Sequence, residues 1–421
     1  MTATVGSPAD GTSLSPARHP AGAAAAAAAA AVMRARVWLS RAVEPGCAAV
    51  YRYVAGLGPV EAVRQIRAGT APSAVSDATA GRRNEDRVDA DLLRASRNGL
   101  RILLPEDEEW PGFALLRMEA ATARGVPDLA PPLMLWLRGG TRLDELTDQA
   151  VAIVGARAST SYGNHVAGDL AYRLANRDWT VVSGGALGID TAAHRGALAA
   201  GGRTIAVIAG GLDEPYPRGN ARLFDQIADH GLLISEWPPG CSPQRHRFLL
   251  RNRLIAGLVA GSVVVEAGAR SGAKNTARHT RELGGVVMCV PGPVTSAMSV
   301  GSNQLLRDSA ARLVTNAGEI IEEIGRIGDD LAPHPQAERT LDDDLDRVAR
   351  RVLDGLEVRT PSSPDQIASA AGVAVTAVLR CLPALELLEL VECQGGGWRL
   401  ARGARARLNR ADGSRHAGRG R

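Results

Sequence analysis

The residues best suited to chemistry lie in a cationic stretch that runs from Gln244 to Gly257 and reads QRHRFLLRNRLIAG. Positions 245 to 253 hold Arg245, Arg247, Arg251 and Arg253, with Phe248 and Asn252 between them. A guanidinium group can hold two phosphate oxygens at once, and an aromatic ring offers a face on which a nucleobase can stack. The stretch alone fits equally a helix whose arginines face water or pair with carboxylates. The neighbouring segments must therefore decide between these two interpretations.

The elements around this stretch predict a parallel sheet. An uncharged run from Leu254 to Val265 follows it and indicates a helix start leading into a buried strand. We therefore expect a cationic loop at the rim of a sheet. Similar strands alternate with helical segments such as Tyr162–Asn176 and Thr191–Ala200, which predicts βαβ units and an α/β, Rossmann-like doubly wound parallel sheet. The predicted strands are Val151–Val154, Thr180–Ser183, Thr204–Ile208, Gly231–Ser235, Ser262–Glu266 and Val286–Val290.

Polar or cationic residues follow five successive predicted strands. Ligands of an open parallel sheet bind outside the carboxyl ends of its strands, so these residues are the candidates for a site. They are Gly155 and Arg157, then Gly184, then Arg218 and Asn220, then Arg245, Phe248, Arg251, Asn252 and Arg253, and finally Ser271, Gly272 and Lys274. Surface cations scattered by chance would not follow one edge of a sheet so regularly, so the pattern favours a phosphate-binding site.

Motifs of several enzyme classes are missing from this sheet. The dinucleotide fingerprint G-x-G-x-x-G is absent, and Arg157 stands where a pyrophosphate would pass. There is no Walker loop, nucleophile elbow, carboxylate pair or metal-spaced His/Cys/Asp set. Asp190 is expected to cap a helix and His194 to lie in the core. We expect no catalytic residue, no cofactor and no metal, and hence a binding protein rather than an enzyme.

Composition adds weak constraints. The chain has 421 residues, enough for two or three domains, and its net charge of +4 only weakly favours a polyanionic partner. Its five cysteines are scattered and form no C-x-x-C pair, which indicates a reducing compartment and a cytoplasmic protein. No apolar run is long enough to span a bilayer, so we expect no membrane association.

The domain boundaries follow from changes in composition. We predict a disordered, alanine-rich tail over residues 1–33, a small helical domain over 34–95 with a helix-hairpin-helix-like turn at Gly56–Val60, and the Rossmann-like domain over 98–326. A linker over 327–339 then precedes a winged helix over 340–400, made of three helices and a hairpin. Residues 401–421 contain seven arginines and one aspartate and are expected to form a disordered basic tail.

Taken together, these segments resemble the DNA-processing protein A (DprA/Smf) family. The matching segments are VAIVGAR with TSYG, SGGALGIDTAAHRGAL, TIAVIAGGLDEPYPRGN, LISEWPPG, RFLLRNRLIAGL, VVVEAGARSG, VPGPV and SVGSNQLL, in family order over residues 98–325. The helical front, of the SAM or helix-hairpin-helix type, and the winged-helix rear fit the longer members of the family.

The resemblance implies a homodimeric, non-enzymatic protein that binds and protects single-stranded DNA. It also implies a role in loading the RecA recombinase during DNA recombination and during natural transformation of competent cells. The DNA-contact positions that it carries onto this chain are Arg157, Arg218, Arg245, Phe248, Asn252 and Ser271. The chain departs from the family pattern at Leu249, where proline is usual, and near Lys274, which either adds a phosphate contact or is solvated.

Two other functions are considered. A Rossmann-fold nucleotide phosphoribosyl hydrolase, similar to lysine-decarboxylase-like proteins, would carry P-G-G-x-G-T, but this chain has Pro291-Gly292-Pro293 without that continuation. A winged-helix transcription factor would need a recognition helix rich in cations, but the predicted third helix of the winged helix has one arginine.

Overall fold

The computed structural model describes residues 20–325 and 341–408. These residues fall into two compact units, divided between Ala332 and Pro333. Each unit has a hydrophobic core of its own.

The first unit is built around a nine-stranded sheet with the strand order β1-β2-β6-β5-β4-β3-β7-β8-β9. Its strands are β1 Arg101–Leu103, β2 Leu135–Arg138, β3 Ala150–Val154, β4 Thr180–Ser183, β5 Thr204–Val207, β6 Leu232–Ser235, β7 Gly261–Val264, β8 Val286–Cys289 and β9 Arg312–Leu313. Strands β3 to β9 pair in parallel, while β1 and β2 form an antiparallel edge. The predicted Rossmann-like fold is confirmed, and each predicted strand lies within one or two residues of its observed position.

Helices cover both faces of this sheet. They are α1 Pro20–Ala42, α2 Ala48–Leu57, α3 Pro59–Ala68, α4 Ser73–Thr79, α5 Val88–Arg97, α6 Gly112–Ala123, α7 Leu143–Asp148, α8 Ser161–Ala175, α9 Ile189–Ala199, α10 Ala221–His230, α11 Arg245–Gly257, α12 Ala273–Glu282, α13 Val300–Arg307 and α14 Ala317–Ile324. On β3, Val151 and Ile153 join one core cluster, while Ala152 and Val154 join the cluster on the other face. This alternation explains why buried parallel strands read as continuous apolar runs.

The cationic stretch is helical, and the prediction of a cationic loop is wrong. Helix α11 begins at Arg245, nine residues before the predicted helix start at Leu254. Arginine and leucine are good helix formers, and Leu254 and Ile255 anchor the helix in the core. A helix fixes the directions of the four arginine side chains, whereas a loop could have turned all four toward one side.

The N-terminal helices share their core with the sheet. Val37, Val50 and Ile66 belong to one buried cluster with Trp136 and Phe224. Helix α1 begins at Pro20 and includes the alanine run, so the predicted disorder is wrong over residues 20–33. Alanine has the highest intrinsic helix propensity, which is sufficient reason for the extended helix. Residues 1–19 of the predicted tail lie outside the described residues.

The second unit contains α15 Leu341–Asp344, α16 Arg347–Asp354, α17 Pro364–Ala371, α18 Val375–Leu387, β10 Val391–Gln394, β11 Gly397–Leu400 and α19 Ala404–Leu408. Helix α16 starts separately from α15, because the side chain of Asp346 accepts hydrogen bonds from Val348 N and Ala349 N and caps its first turn. The antiparallel β10–β11 pair forms the predicted hairpin.

The ends of the second unit differ in part from the expectation. Residues 404–408 of the predicted basic tail are helical, and Ala404 is buried in the core of this unit. The remainder of that tail, 409–421, and the predicted linker over 327–339 lie outside the described residues.

Neither a membrane span nor a metal cluster is evident in the described parts of the chain. No single helix in residues 20–325 and 341–408 is long and apolar enough to cross a bilayer. Within these ranges, only α17 and α18 taken together, which are bent relative to each other, reach the required length and apolar composition. Within the same ranges, no three His, Cys, Asp or Glu side chains are grouped so as to hold a metal ion.

Candidate nucleic-acid interface

A groove of about 870 Å³ lies at the carboxyl ends of the parallel strands, and we call it the strand-end groove. It brings together eight of the thirteen residues predicted for a site: Gly155, Arg157, Arg245, Phe248, Arg251, Asn252, Ser271 and Gly272. They come from the segments after β3, β6 and β7, which are separate in sequence but adjacent at one edge of the sheet.

The only ring predicted for the site lies directly beneath a guanidinium group. The Cζ atom of Arg157 lies 4.5 Å from the centroid of the Phe248 ring, which is a cation–π contact. Tyr216 packs edge-on against the same ring, with the two centroids 5.9 Å apart and the planes at 65°. Arg157 and Tyr216 are exposed, and Phe248 is half-buried. Together the three side chains form a unit that we call the aromatic cluster.

Tyr216 and Arg270 are two exposed lining residues that were not predicted from the sequence. Both lie in segments that follow strands, after β5 and β7, so the strand-end rule alone could have selected them. Tyr216 is an exposed aromatic side chain between two prolines, which is itself a signal for a binding residue.

Three exposed cations surround the strand-end groove without neutralising partners. Arg157, Arg245 and Arg270 pair with no carboxylate in the parts of the chain that the structure describes. Arg245 is the first residue of α11, so its side chain lies beside free helical N–H groups and the positive end of the helix dipole. A phosphate group placed here would gain from both sources of positive potential.

The floor of the groove contains a buried arginine. Arg251 is only 4% exposed; its Nη1 atom donates to the carbonyl oxygen of Gly184 at 2.7 Å and also to that of Val207. A side chain at Gly184 would collide with this guanidinium group, which explains the glycine. Burial lowers the pKa of Arg251 to about 10, which leaves the group charged at neutral pH. Gly184 does not line the groove, and it acts there through Arg251.

A buried carboxylate holds the loop beside this arginine. Asp190 accepts hydrogen bonds from the backbone N–H groups of Gly184 at 3.1 Å and Ala186 at 3.3 Å. It is the second residue of α9 and not its N-cap, which is Gly188. Burial raises the pKa of Asp190, and the nearby Arg251 charge opposes that rise.

Glu266, which sequence reasoning did not select, supports the opposite wall. It is fully buried, and its carboxylate accepts from Thr160 N at 2.9 Å and Thr160 Oγ1 at 2.6 Å. Its backbone carbonyl accepts from Ala156 N at 2.7 Å. A side chain at Gly163 would collide with this carboxylate, so the glycine lets α8 begin close to β7. These contacts hold the loop that carries Arg157.

Asn252 and Ser271 organise the third wall. The Asn252 Nδ2 group donates to the carbonyl oxygen of Gly272 at 3.3 Å, which ties α11 to the turn before α12. Ser271 Oγ accepts from Ala273 N at 3.3 Å. Both residues line the groove, and these contacts hold its backbone in place.

Arg253 does not belong to the interface, and the prediction that it contacts DNA is wrong. Its side chain is 1% exposed; it forms a buried ion pair with Glu236 and donates to the carbonyl oxygen of Ala130. Arg247 likewise turns away from the groove, with its Nη2 atom 2.6 Å from Glu44 Oε1. At about 100° per residue, positions 245, 247, 251 and 253 spread over about 240° of the helix circumference, so these four side chains cannot share one face.

Three further predicted residues lie beside the groove without lining it. Asn220 is buried, and its Nδ2 group donates to the carbonyl oxygen of Gly185 at 3.0 Å, so it fixes this loop and does not line the strand-end groove. Lys274 Nζ donates to the carbonyl oxygen of Ala269 at 3.2 Å. The Arg218 side chain is 89% exposed and lies 3.3 Å from Glu214, two residues after Tyr216.

Comparison with known proteins places this chain in a family. A sequence model described as DNA recombination-mediator protein A matches residues 101–325, and one described as the DprA winged helix domain matches 332–397. A putative DNA processing protein DprA from Mycobacterium tuberculosis is 47% identical over 384 residues, which cover 89% of this chain and 98% of that protein. Protein Smf of Escherichia coli is 36% identical over 66% of this chain and 74% of its own length. The X-ray structure of DprA from Streptococcus pneumoniae superposes with a TM-score of 0.56 at 31% identity, covering 69% of this chain and 96% of that one.

Proposed function

The chain belongs to the DNA recombination-mediator protein A (DprA/Smf) family of DNA-processing proteins, and on that premise we propose that it binds single-stranded DNA in the strand-end groove. In this proposal it performs no chemistry and uses no cofactor. It protects the strand and assists loading of RecA, in recombination and in natural transformation. It acts as a cytoplasmic homodimer.

The proposal rests on one observation: an aromatic ring and arginine side chains without carboxylate partners in the described residues line the same groove. Arg157, Arg245 and Arg270 supply positive charge, and the aromatic cluster supplies a surface for stacking. Proteins that bind single strands without sequence preference combine these two elements, because every nucleotide has a phosphate and every base has a flat face. Neither element distinguishes one base from another.

The position of the ring favours an unpaired strand. Phe248 is half-buried within the groove, between Arg157 and Tyr216. A base can reach such a ring only after it has left its own stack, which a duplex resists by a few kcal/mol per base. A single strand meets this condition without melting.

The rival hydrolase would require a general acid or base in the groove. Asp190 is the only carboxylate among the lining residues, and its carboxylate oxygen is engaged by two backbone N–H groups. No specific observation therefore supports catalysis. Incubation with nucleoside monophosphates should release no free base; release that is lost in Asp190→Asn would instead support the enzyme.

The direct test compares single- and double-stranded 20-mers by fluorescence anisotropy across salt concentrations. We expect the single strand to bind more tightly at every salt concentration, with a log–log slope of about −0.7 for each phosphate neutralised. Equal affinity for both forms, or binding that is insensitive to salt, would contradict the proposal.

The proposed partners need separate experiments. Light scattering coupled to size exclusion should give the mass of a dimer. Pull-down with purified RecA, with and without oligo-dT, should retain RecA. A monomer, or failure to retain RecA, would remove that part of the proposal and leave strand binding intact.

A further inference from the structure

A second groove, of about 790 Å³, lies between α8 and α9, and we call it the helical groove. We propose that single-stranded DNA leaving the strand-end groove continues into the helical groove, where Arg195 contacts the phosphates of the flanking nucleotides. This inference rests on the proposed function and extends it to a second segment of the same ligand.

The two grooves are neighbours along the backbone in two places. In the loop between β4 and α9, Ala186 lines the strand-end groove, while Leu187 and Gly188 line the helical groove. In the loop after β5, Tyr216 lines the first groove, while Gly219 and Asn220 line the second. The two linings are therefore adjacent in the first loop and separated by two residues in the second.

Hydrogen bonds fix these two loops to each other and to the loop of Arg157. The Asn220 Nδ2 group donates to Gly185 O at 3.0 Å and to Thr191 Oγ1 at 2.8 Å. Ile189 N donates to Ala156 O at 3.2 Å, so the start of α9 lies against the segment that carries Arg157. The passage between the grooves is thus a defined surface.

The chemistry of the passage suits a polyanion. Arg218 lies in the chain between Tyr216 of the first groove and Gly219 of the second; its side chain is 89% exposed, with one carboxylate, Glu214, at 3.3 Å. Arg195 is exposed in the helical groove and has no carboxylate partner within the described ranges. The carboxylate in the lining, Asp169, is paired with Arg173 at 2.7 Å, so its charge is compensated.

Apolar surface accompanies these charges. Leu187 is 52% exposed and Tyr172 is 45% exposed, and both line the helical groove. The groove between the helices is floored by small residues, and a side chain at Gly196 would collide with the backbone of Gly168. Exposed apolar side chains beside Arg195 offer contacts to sugars and bases as well as to phosphates.

The test uses length dependence, because only a longer strand can occupy both grooves. Labelled dT6 and dT12 are each titrated with the full-length wild-type protein and with Arg195→Ala. The conditions are chosen so that one protein binds one strand. The matched control is Arg177→Ala, an exposed arginine between α8 and β4, at the amino ends of the strands. Wild-type protein should bind dT12 at least tenfold more tightly than dT6.

Arg195→Ala should lower the affinity for dT12 about tenfold, the size of one charge-assisted contact, and leave dT6 within twofold of wild type. Its log–log salt slope on dT12 should become shallower by about 0.7. The inference would be overturned if Arg195→Ala and Arg177→Ala had equal affinities for dT12, or if Arg195→Ala lost as much affinity for dT6 as for dT12. In either case, binding of dT6 by the wild-type protein would still support the proposed function. Wild-type protein that bound neither oligonucleotide would remove both.

Discussion

The guanidinium group of Arg157 lies over the ring of Phe248, with Cζ 4.5 Å from the ring centroid. The two residues are 91 positions apart: Arg157 lies in the loop after β3, and Phe248 lies in α11, the helix that follows β6. The cation and the stacking surface of the groove are therefore one structural unit, because the guanidinium plane covers one face of the ring. A planar guanidinium group is itself a surface on which a base can stack.

Arg157→Ala should weaken binding to dT12 by at least tenfold and make the log–log salt slope shallower by about 0.7. Arg157→Lys should recover the slope but only part of the affinity, since lysine keeps the charge and loses the planar stacking group. Fluorescence anisotropy against salt measures both quantities, with Arg177→Ala as the control. Identical affinities for the alanine variant and wild type would show that the strand-end groove is not the binding site.

Phe248→Ala should cost about 1–3 kcal/mol of binding free energy, which is the range for loss of one base–aromatic stack. The salt slope should stay unchanged, because no charge is removed. Phe248→Trp should retain most of the affinity. A slope that changed together with the affinity would indicate that the ring acts only by positioning Arg157.

Tyr216→Ala should also reduce affinity, although it was not selected from the sequence. Its ring centroid lies 5.9 Å from that of Phe248, so the two side chains should act together. In a double-mutant cycle with Phe248→Ala we expect a coupling energy of about 0.5–3 kcal/mol, the range for residues in contact. Additive losses would mean that the two rings serve different nucleotides.

Arg253→Ala should destabilise the fold by about 3–5 kcal/mol, because it leaves Glu236 buried without its ion partner. Burial raises the pKa of Glu236 and Arg253 opposes that rise, so the carboxylate would take up a proton in the variant. Urea unfolding followed by tryptophan fluorescence measures the loss. Protein that remains folded should bind dT12 as wild type does; weaker binding at unchanged stability would restore Arg253 to the interface.

His194 should make the protein less stable in mild acid. Its Nδ1 atom lies 2.8 Å from Thr204 Oγ1, its Nε2 atom is buried without a partner, and burial lowers its pKa from 6.5 to about 3. Because the folded-state pKa lies below that of the unfolded chain, the unfolded state binds the extra proton as pH falls below 6.5. The contribution to the free energy of unfolding should fall by about 2 kcal/mol between pH 6.5 and pH 5.

The measurement is urea unfolding at pH 7, 6 and 5, compared with His194→Asn, whose amide can still donate to Thr204 but does not titrate in this range. Burial also lowers the pKa of His279, to about 4, so wild type and variant share that second contribution. The difference between them isolates His194. Parallel pH profiles would contradict this assignment.

The order of strands and helices could be predicted from the sequence, because apolar periodicity reports local structure directly. The strand-end rule then placed Gly155, Arg157, Arg245, Phe248 and Ser271 at one edge, where the structure finds them. That rule works because parallel strands bring their carboxyl ends to the same side whatever the side chains are.

Only the tertiary structure decided which cations face the groove. In the sequence, Arg245, Arg247, Arg251 and Arg253 look alike, but in the fold the first is exposed, the second pairs with Glu44, the third is buried beside Gly184 and the fourth pairs with Glu236. The partners Glu44 and Gly184 are 203 and 67 positions from their arginines, so no local pattern could identify them. Local sequence determines the helix, and the direction of each side chain depends on what the fold brings against it.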